Sequence, residues 1–207
     1  MLVTPSVHHL SPQDGTLSAS TNRYEKRLSD LVGLYADAAA FQAALGAGDR
    51  VVYSVEDFRP SGASGDICFG VTHMLPGRIG DEFFMTRGHI HAVANRPETY
   101  RGELGRGVMV MESPDGQIAT LEVTPGATIY VPPCWIHRSV NTGTAPLVMT
   151  FVYPADSGQE YGIIARSNGM RVRVVADGDG WRTVENPRWR PRTEAEIAAI
   201  HATGACE

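Results

Sequence analysis

The sequence predicts a single all-β domain, a sandwich or barrel of short strands. Three observations carry that expectation. From Arg50 onward, short runs rich in β-branched and aromatic residues alternate with Gly, Pro, Asp and Asn. Two of the breaks have turn chemistry. In Ser113-Pro114-Asp115-Gly116 the proline presets φ and the glycine accepts a positive φ, and Ala176-Asp177-Gly178-Asp179-Gly180 reads as a hairpin tip. Finally, 207 residues of which 43% are hydrophobic and 20% charged suffice for one buried core.

Taken in order, residues 1–22 are rich in Ser, Thr and Pro and read as an arm or loop. Two short helices follow. The clearer one has Asp37 as N-cap, Phe41, Ala44 and Leu45 as its apolar stripe, and Gly46 as its stop. Strands are expected over 51–58, 67–74, 82–86, 98–104, 108–112, 118–123, 127–131, 137–141, 147–153, 171–176 and 181–185. The Glu- and Ala-rich tail from Thr193 to His201 reads as a solvated packing helix. The expected organisation is an arm with short helices over 1–49, the β domain over 50–190 and a helical tail over 191–207.

Charge and cysteine content narrow the function classes. A formal net charge of −5 provides no basic surface for nucleic acid. Cys68, Cys134 and Cys206 are few, odd in number and widely spaced, which argues against a disulfide framework or thiolate zinc and makes the cytoplasm the simplest compartment. The start MLVTPSVHHL has no signal-peptide pattern, and no run approaches the roughly 20 apolar residues of a membrane helix.

The most informative segment is Gly88-His89-Ile90-His91. On a strand, side chains repeat with period two, so His89 and His91 share a face while Ile90 turns to apolar packing. Glu98 follows after a short loop and is placed to open the next antiparallel strand. His137 arrives just after Pro132-Pro133. Three imidazoles and one carboxylate form a mixed N/O set suited to Fe, Mn, Ni, Co or Zn, leaving open positions for a substrate. An isolated His-x-His is also a common structural pair; here the flanking spacing selects the ligand reading. Six residues separate Glu98 from Gly105, five separate Gly126 from Pro132, and three separate His137 from Asn141. These spacings resemble the two motifs of the cupins. That resemblance implies a jelly-roll (double-stranded β-helix) barrel. Two features depart from the general pattern: six residues rather than three or four precede Glu98, and Cys134 stands where glycine is usual.

Four blocks carry a narrower resemblance. They are Glu82-Phe83-Phe84-Met85-Thr86-Arg87-Gly88-His89-Ile90-His91 with its six-residue loop to Glu98, Pro125 to Pro133 followed by Trp135 and His137-Arg138, Tyr153-Pro154-Ala155-Asp156 with Tyr161-Gly162, and Asn186-Pro187-Arg188-Trp189. Spanning roughly residues 67–189, they resemble the cupin-type glucose-6-phosphate isomerases. The resemblance implies an aldose–ketose isomerase acting on glucose 6-phosphate and fructose 6-phosphate. It implies one divalent transition metal per chain, Fe2+ first, on His89, His91, Glu98 and His137. It also implies a phosphate site from Thr72, Thr86, Gly88 and Tyr153 with Tyr161 nearby. Such a site makes physical sense, since hydroxyls and a backbone N–H bind phosphate oxygens and glycine permits close approach.

Plainer roles stay open. Threonines are ordinary β-formers, and Tyr153 and Tyr161 also fit as core residues whose hydroxyls find partners. His73, beside Thr72, points to the opposite face and reads as structural. Gln159 stands where the resembled family commonly has histidine; it can bond a sugar hydroxyl but cannot relay a proton near neutral pH. Cys134, where an aromatic residue is usual, reads as a packing exchange.

The expected chemistry is proton transfer through an enediol, with Glu98 as base and Tyr100, two residues on and on the same face, orienting it. The expected partners are a small phosphosugar and a second copy of the chain, with neither nucleic acid nor membrane. The alternatives are another metal-cupin enzyme, such as an iron dioxygenase, and a non-catalytic sugar- or metal-binding cupin.

Overall fold

Turn residues cut the chain into fifteen strands in the computed structural model, which describes residues 4–204. The N-terminal segment holds β1 (Leu10–Ser11), β2 (Thr16–Leu17) and β3 (Asn22–Arg27), followed by a 3-10 turn at Leu28–Leu31 and α1 (Ala38–Ala47). The middle of the chain holds β4 (Val51–Phe58), β5 (Ile67–Met74), β6 (Arg78–Ile79), β7 (Glu82–Phe83), β8 (Glu98–Leu104), β9 (Gly107–Glu112), β10 (Ile118–Val123), β11 (Thr128–Val131), β12 (Ile136–Val140) and β13 (Leu147–Pro154). After these come α2 (Gly162–Arg166), β14 (Val172–Asp177), β15 (Gly180–Glu185) and α3 (Glu194–Ala202).

The fold is the cupin barrel. A six-stranded sheet in the order β11-β8-β13-β5-β4-β3 faces a three-stranded sheet in the order β10-β9-β12, and a four-stranded sheet, β15-β14-β7-β6, closes one side. Neighbouring strands are antiparallel throughout. Alternation sets the two faces. Along β13, Met149, Phe151 and Tyr153 point into the barrel, whereas Thr150 and Val152 point out. Phe84, Met74, Met109, Ile136, Leu147 and Met149 are among the fully buried side chains.

Several local expectations meet the structure with differences. Asp37 does cap α1, its side chain accepting from Ala40 N at 2.8 Å, but the helix runs past Gly46 and ends where Gly48 takes φ 149°. The arm contains the β1–β2 hairpin, and β3 extends the large sheet by pairing with β4. β3 carries one apolar residue, Tyr24, so no hydrophobic alternation announces it. The expected strand 82–86 shortens to Glu82–Phe83, with Met85 held by an isolated bridge to Val140. The tail helix starts after its N-cap Thr193, whose side chain accepts from Glu196 N while the Glu196 carboxylate accepts from Thr193 N. Cys134 is disulfide-bonded, which corrects its reading as a free apolar side chain; it also has φ 68°, a backbone state that glycine adopts without strain. Among the described residues no helix is long and apolar enough to cross a membrane.

Candidate metal centre and active site

Two sheets deliver the cluster. Glu98 opens β8 on the large sheet and His137 lies on β12 of the small one. His89 and His91 sit outside any named strand, yet isolated bridges pair His89 with His137 and Ile90 with Glu160. Those bridges keep the segment extended, so period two still puts both imidazoles on one side and buries Ile90 on the other. Gly88 makes this approach possible. It has φ +75°, and a Cβ there would meet Ile164 Cδ1 at 2.7 Å and Arg138 Cβ at 2.9 Å.

One donor atom from each of His89, His91, Glu98 and His137 lies within 4.8 Å of the others. Glu98 Oε2 is 3.0 Å from His137 Nε2, 3.3 Å from His91 Nε2 and 3.9 Å from His89 Nε2. Outer hydrogen bonds fix two of the rings. His91 Nδ1 donates to Arg96 O at 2.7 Å and His137 Nδ1 to Trp135 O at 3.1 Å. A carbonyl only accepts, so each Nδ1 carries a proton and each neutral ring turns an Nε2 lone pair inward. Lone pairs then face a carboxylate, acceptor against acceptor. That arrangement calls for a cation between them or a second proton on the rings. His89 Nε2 and His91 Nε2 are also buried without a hydrogen-bond partner among the described residues. The donor set fits a divalent transition ion.

The electrostatics agree. Burial, and then the neighbouring His137, push His89 well below the usual imidazole range, so it stays unprotonated. Burial raises Glu98, but the His137 and His91 imidazoles beside it outweigh burial and hold the carboxyl well below its usual range. Burial, then the Glu98 charge and hydrogen bond, drive the Tyr100 hydroxyl well above its usual range, so it remains a proton donor.

A cavity opens over the cluster, and Tyr100, Thr72, Thr86, Gly88, Tyr153, Gln159 and Tyr161 all line it with His89, Glu98 and His137. His91 is not part of that lining and instead borders a separate cavity with Ile90, Ala92 and Ile163. Thr86 Oγ1 accepts from Ser139 N at 3.0 Å. Among the described residues the Gly88 N–H donates no hydrogen bond. Tyr161 OH donates to Gln159 Oε1, which ties the two together. His73 faces away and packs against Gly15 of the N-terminal hairpin. Sequence reading missed Tyr24, Tyr53, Asp57 and Arg59, which also line the cavity. Tyr53, Val55 and Asp57 alternate along β4 and share its inward face, a period-two signal present in the sequence.

A family model described as "Glucose-6-phosphate isomerase (GPI)" matches residues 25–190. A protein of Sinorhizobium medicae named glucose-6-phosphate isomerase is 52% identical over 202 residues, which are 97% of this chain and 94% of that protein. A Rhizobium meliloti protein named putative glucose-6-phosphate isomerase 1 is 50% identical over the same shares. A Thermococcus kodakarensis protein named glucose-6-phosphate isomerase is 41% identical over 165 residues, 80% of this chain and 86% of that one. With a family model covering most of its length and relatives this similar along nearly all of it, the chain belongs to the glucose-6-phosphate isomerase family.

Proposed function

We propose that the protein is a metal-dependent aldose–ketose isomerase that interconverts D-glucose 6-phosphate and D-fructose 6-phosphate, a step shared by glycolysis and gluconeogenesis. The observation that carries this reading is the inward-facing imidazole lone pairs set against Glu98 at the floor of a cavity whose wall holds neutral phosphate donors. His89, His91, Glu98 and His137 would hold the ion, Fe2+ first among those the donor set accepts. A bound divalent ion supplies Lewis acidity that polarises the sugar carbonyl and acidifies the adjacent C–H.

The chain's own residues do the rest. Thr72, Thr86, Tyr153 and the free Gly88 N–H bind the phosphoryl oxygens and so fix the sugar's C1–C2 end over the cluster. Glu98 moves the proton between C2 and C1 through an enediol. Tyr100, held protonated beside Glu98, orients that carboxylate. Gln159 and Tyr161 together bond sugar hydroxyls. The low proton affinity of Glu98 makes it a weak base, which gives a hydride shift between C1 and C2 as the competing path. Solvent deuterium incorporated at C1 or C2 during turnover supports the enediol.

The reading extends to a cytoplasmic homodimer. Tyr130 and Val152, 56% and 39% exposed, flank Thr99 in register on the outer face of the large sheet and offer an apolar contact. Light scattering at micromolar concentration tests the dimer. The activity is tested by a coupled assay with fructose 6-phosphate on protein that is chelated and then reloaded with single divalent metals. Chelation abolishes turnover and metal restores it; a chelated protein at full rate overturns the metal's role. Oxygen uptake instead of isomerisation would mark a dioxygenase, and ligand binding without turnover a non-catalytic cupin.

A further inference from the structure

The cavity wall leaves the substrate's charge unanswered. Thr72, Thr86, Gly88 and Tyr153 are neutral, while a phosphomonoester carries close to two negative charges at neutral pH. Asp57 and Glu98 add negative charge to the same wall; among the described residues the guanidinium groups lining it belong to Arg59 and Arg138, while that of Arg87 is taken up over the Tyr161 ring at 5.0 Å. Arg138 has both amino groups committed, Nη2 to Arg87 O at 2.6 Å and Nη1 to Met85 Sδ at 3.0 Å.

Arg59 is differently placed. Its Nε donates to Asp57 Oδ1 at 3.0 Å and its Nη2 to Asp57 Oδ2 at 2.6 Å. Asp57 also accepts from Asn22 Nδ2 at 3.3 Å. This fork–fork pair pins the guanidinium plane, because the Asp57 side chain is 1% exposed and cannot swing. The Nη1 group keeps its donors free among the described residues, and the Arg59 side chain is 45% exposed. Arg59 also lines an adjoining outer cleft with Tyr153 and Gln159, so it stands where that cleft meets the inner cavity. Its charge reaches the inner hydroxyls. Burial raises Tyr153 and Tyr161, and Arg59 is the largest opposing influence on each.

We propose that Arg59, pinned by Asp57, is the residue that selects anionic sugars, supplying counter-charge to the phosphoryl group as substrate enters and while it is bound. This rests on the phosphosugar reading above. It makes Arg59 a specificity determinant outside the metal-ligand set.

Removing Arg59 alone would strand the buried Asp57 charge, so the informative variant is the double D57N/R59M, with R59K as the conservative control. Three quantities are measured on folded, metal-loaded protein: KM and kcat for fructose 6-phosphate, the ionic-strength dependence of kcat/KM, and the Kd of inorganic phosphate by calorimetry. Loss of a charged donor predicts a rise of roughly 10- to 100-fold in KM and in phosphate Kd for the double variant. Its kcat stays within about threefold, and the salt dependence of kcat/KM is unchanged, since the double variant removes one charge of each sign. R59K recovers most of the affinity. Unchanged KM and phosphate Kd in the double variant overturn the proposal, as does a rise in KM without a rise in phosphate Kd. A wild-type protein that binds phosphate but does not isomerise fructose 6-phosphate sinks the isomerase reading, and the phosphate Kd series still decides the role of Arg59. Absence of phosphate binding by the wild type overturns it too.

Discussion

His137 Nε2 and Glu98 Oε2 meet at 3.0 Å from opposite sheets, although 39 residues separate them in the chain. The contact joins the small sheet to the large one at the point where chemistry is proposed. Glu98→Gln keeps the size of the side chain and removes its charge, leaving the three imidazoles without an anionic partner. Turnover is expected to fall by roughly 10²- to 10⁴-fold, the range for losing a positioned acid–base group, with weaker metal retention. Gln159→Ala should cost less than tenfold, because Gln159 bonds hydroxyls and moves no proton. Steady-state kinetics with parallel metal analysis checks both. A metal-loaded Glu98→Gln enzyme at wild-type turnover would remove Glu98 from the mechanism.

The buried cluster makes apoprotein stability depend on pH in two windows. His89 is held well below 6.5 by burial and by His137. Beneath pH 6.5 the unfolded chain therefore takes up a proton that the folded protein refuses. Stability falls as pH drops, by up to about 1.4 kcal/mol per pH unit for one such site. Glu98 acts lower. Its folded value lies below 4.5, so its contribution is complete above 4.5 and is lost as pH falls beneath it. Urea unfolding of chelated protein between about pH 7.5 and about pH 5 should show the first slope, and His89→Asn should flatten it. An unchanged slope in that variant assigns the effect elsewhere.

Features repeating along a strand were legible in the sequence, and features made by distant pairing were not. His89 and His91 were correctly placed on one face because extended backbone has period two. Whether that backbone lay in a regular strand depended on His137, whose bridge supplies the register. Glu98 opens β8 where the loop length predicted it. By contrast, β3 carries mostly polar residues and forms a strand because β4 offers an open edge. Period two along β4 carries Asp57 inward with Tyr53 and Val55, but nothing local announces that Arg59 pairs with it at the cavity. The disulfide of Cys134 was equally unreadable from three widely spaced cysteines.

A second ion pair of this kind ties the tail to the barrel. Arg192 Nη1 donates to Glu112 Oε1 at 2.7 Å, with side chains 2% and 0% exposed. Glu112 also accepts from Trp189 Nε1 at 3.1 Å and Arg171 N at 2.7 Å, so one carboxylate on β9 gathers three donors from beyond residue 170. Arg192→Met leaves that buried charge short of its cation and should cost about 3–5 kcal/mol. Pairing it with Glu112→Gln should recover part of the loss, because the uncompensated charge disappears. Denaturant unfolding of both variants decides. Equal stabilities for Arg192→Met and wild type would mean that the pair contributes no net stabilisation.

Gly88 bears the tightest geometric demand in the site. Its φ of +75° disfavours any side chain, and a Cβ would stand 3.0 Å from His137 O as well as against Ile164 and Arg138. Gly88→Ala must therefore shift the segment that presents His89, against the bridge from His89 N to His137 O at 3.1 Å. The backbone strain alone costs about 1 kcal/mol or more. A displacement of the histidine segment also spoils the ligand geometry and removes the close approach proposed for phosphate. The variant should thus lose metal affinity and raise the Kd of inorganic phosphate together. Gly126→Ala is the matched control. It has φ +87° but nothing within 4 Å of its Cβ, so it carries the backbone strain without the collision. If both variants lose stability alike and keep metal and phosphate binding, the role of Gly88 is conformational only, and the close-approach argument fails.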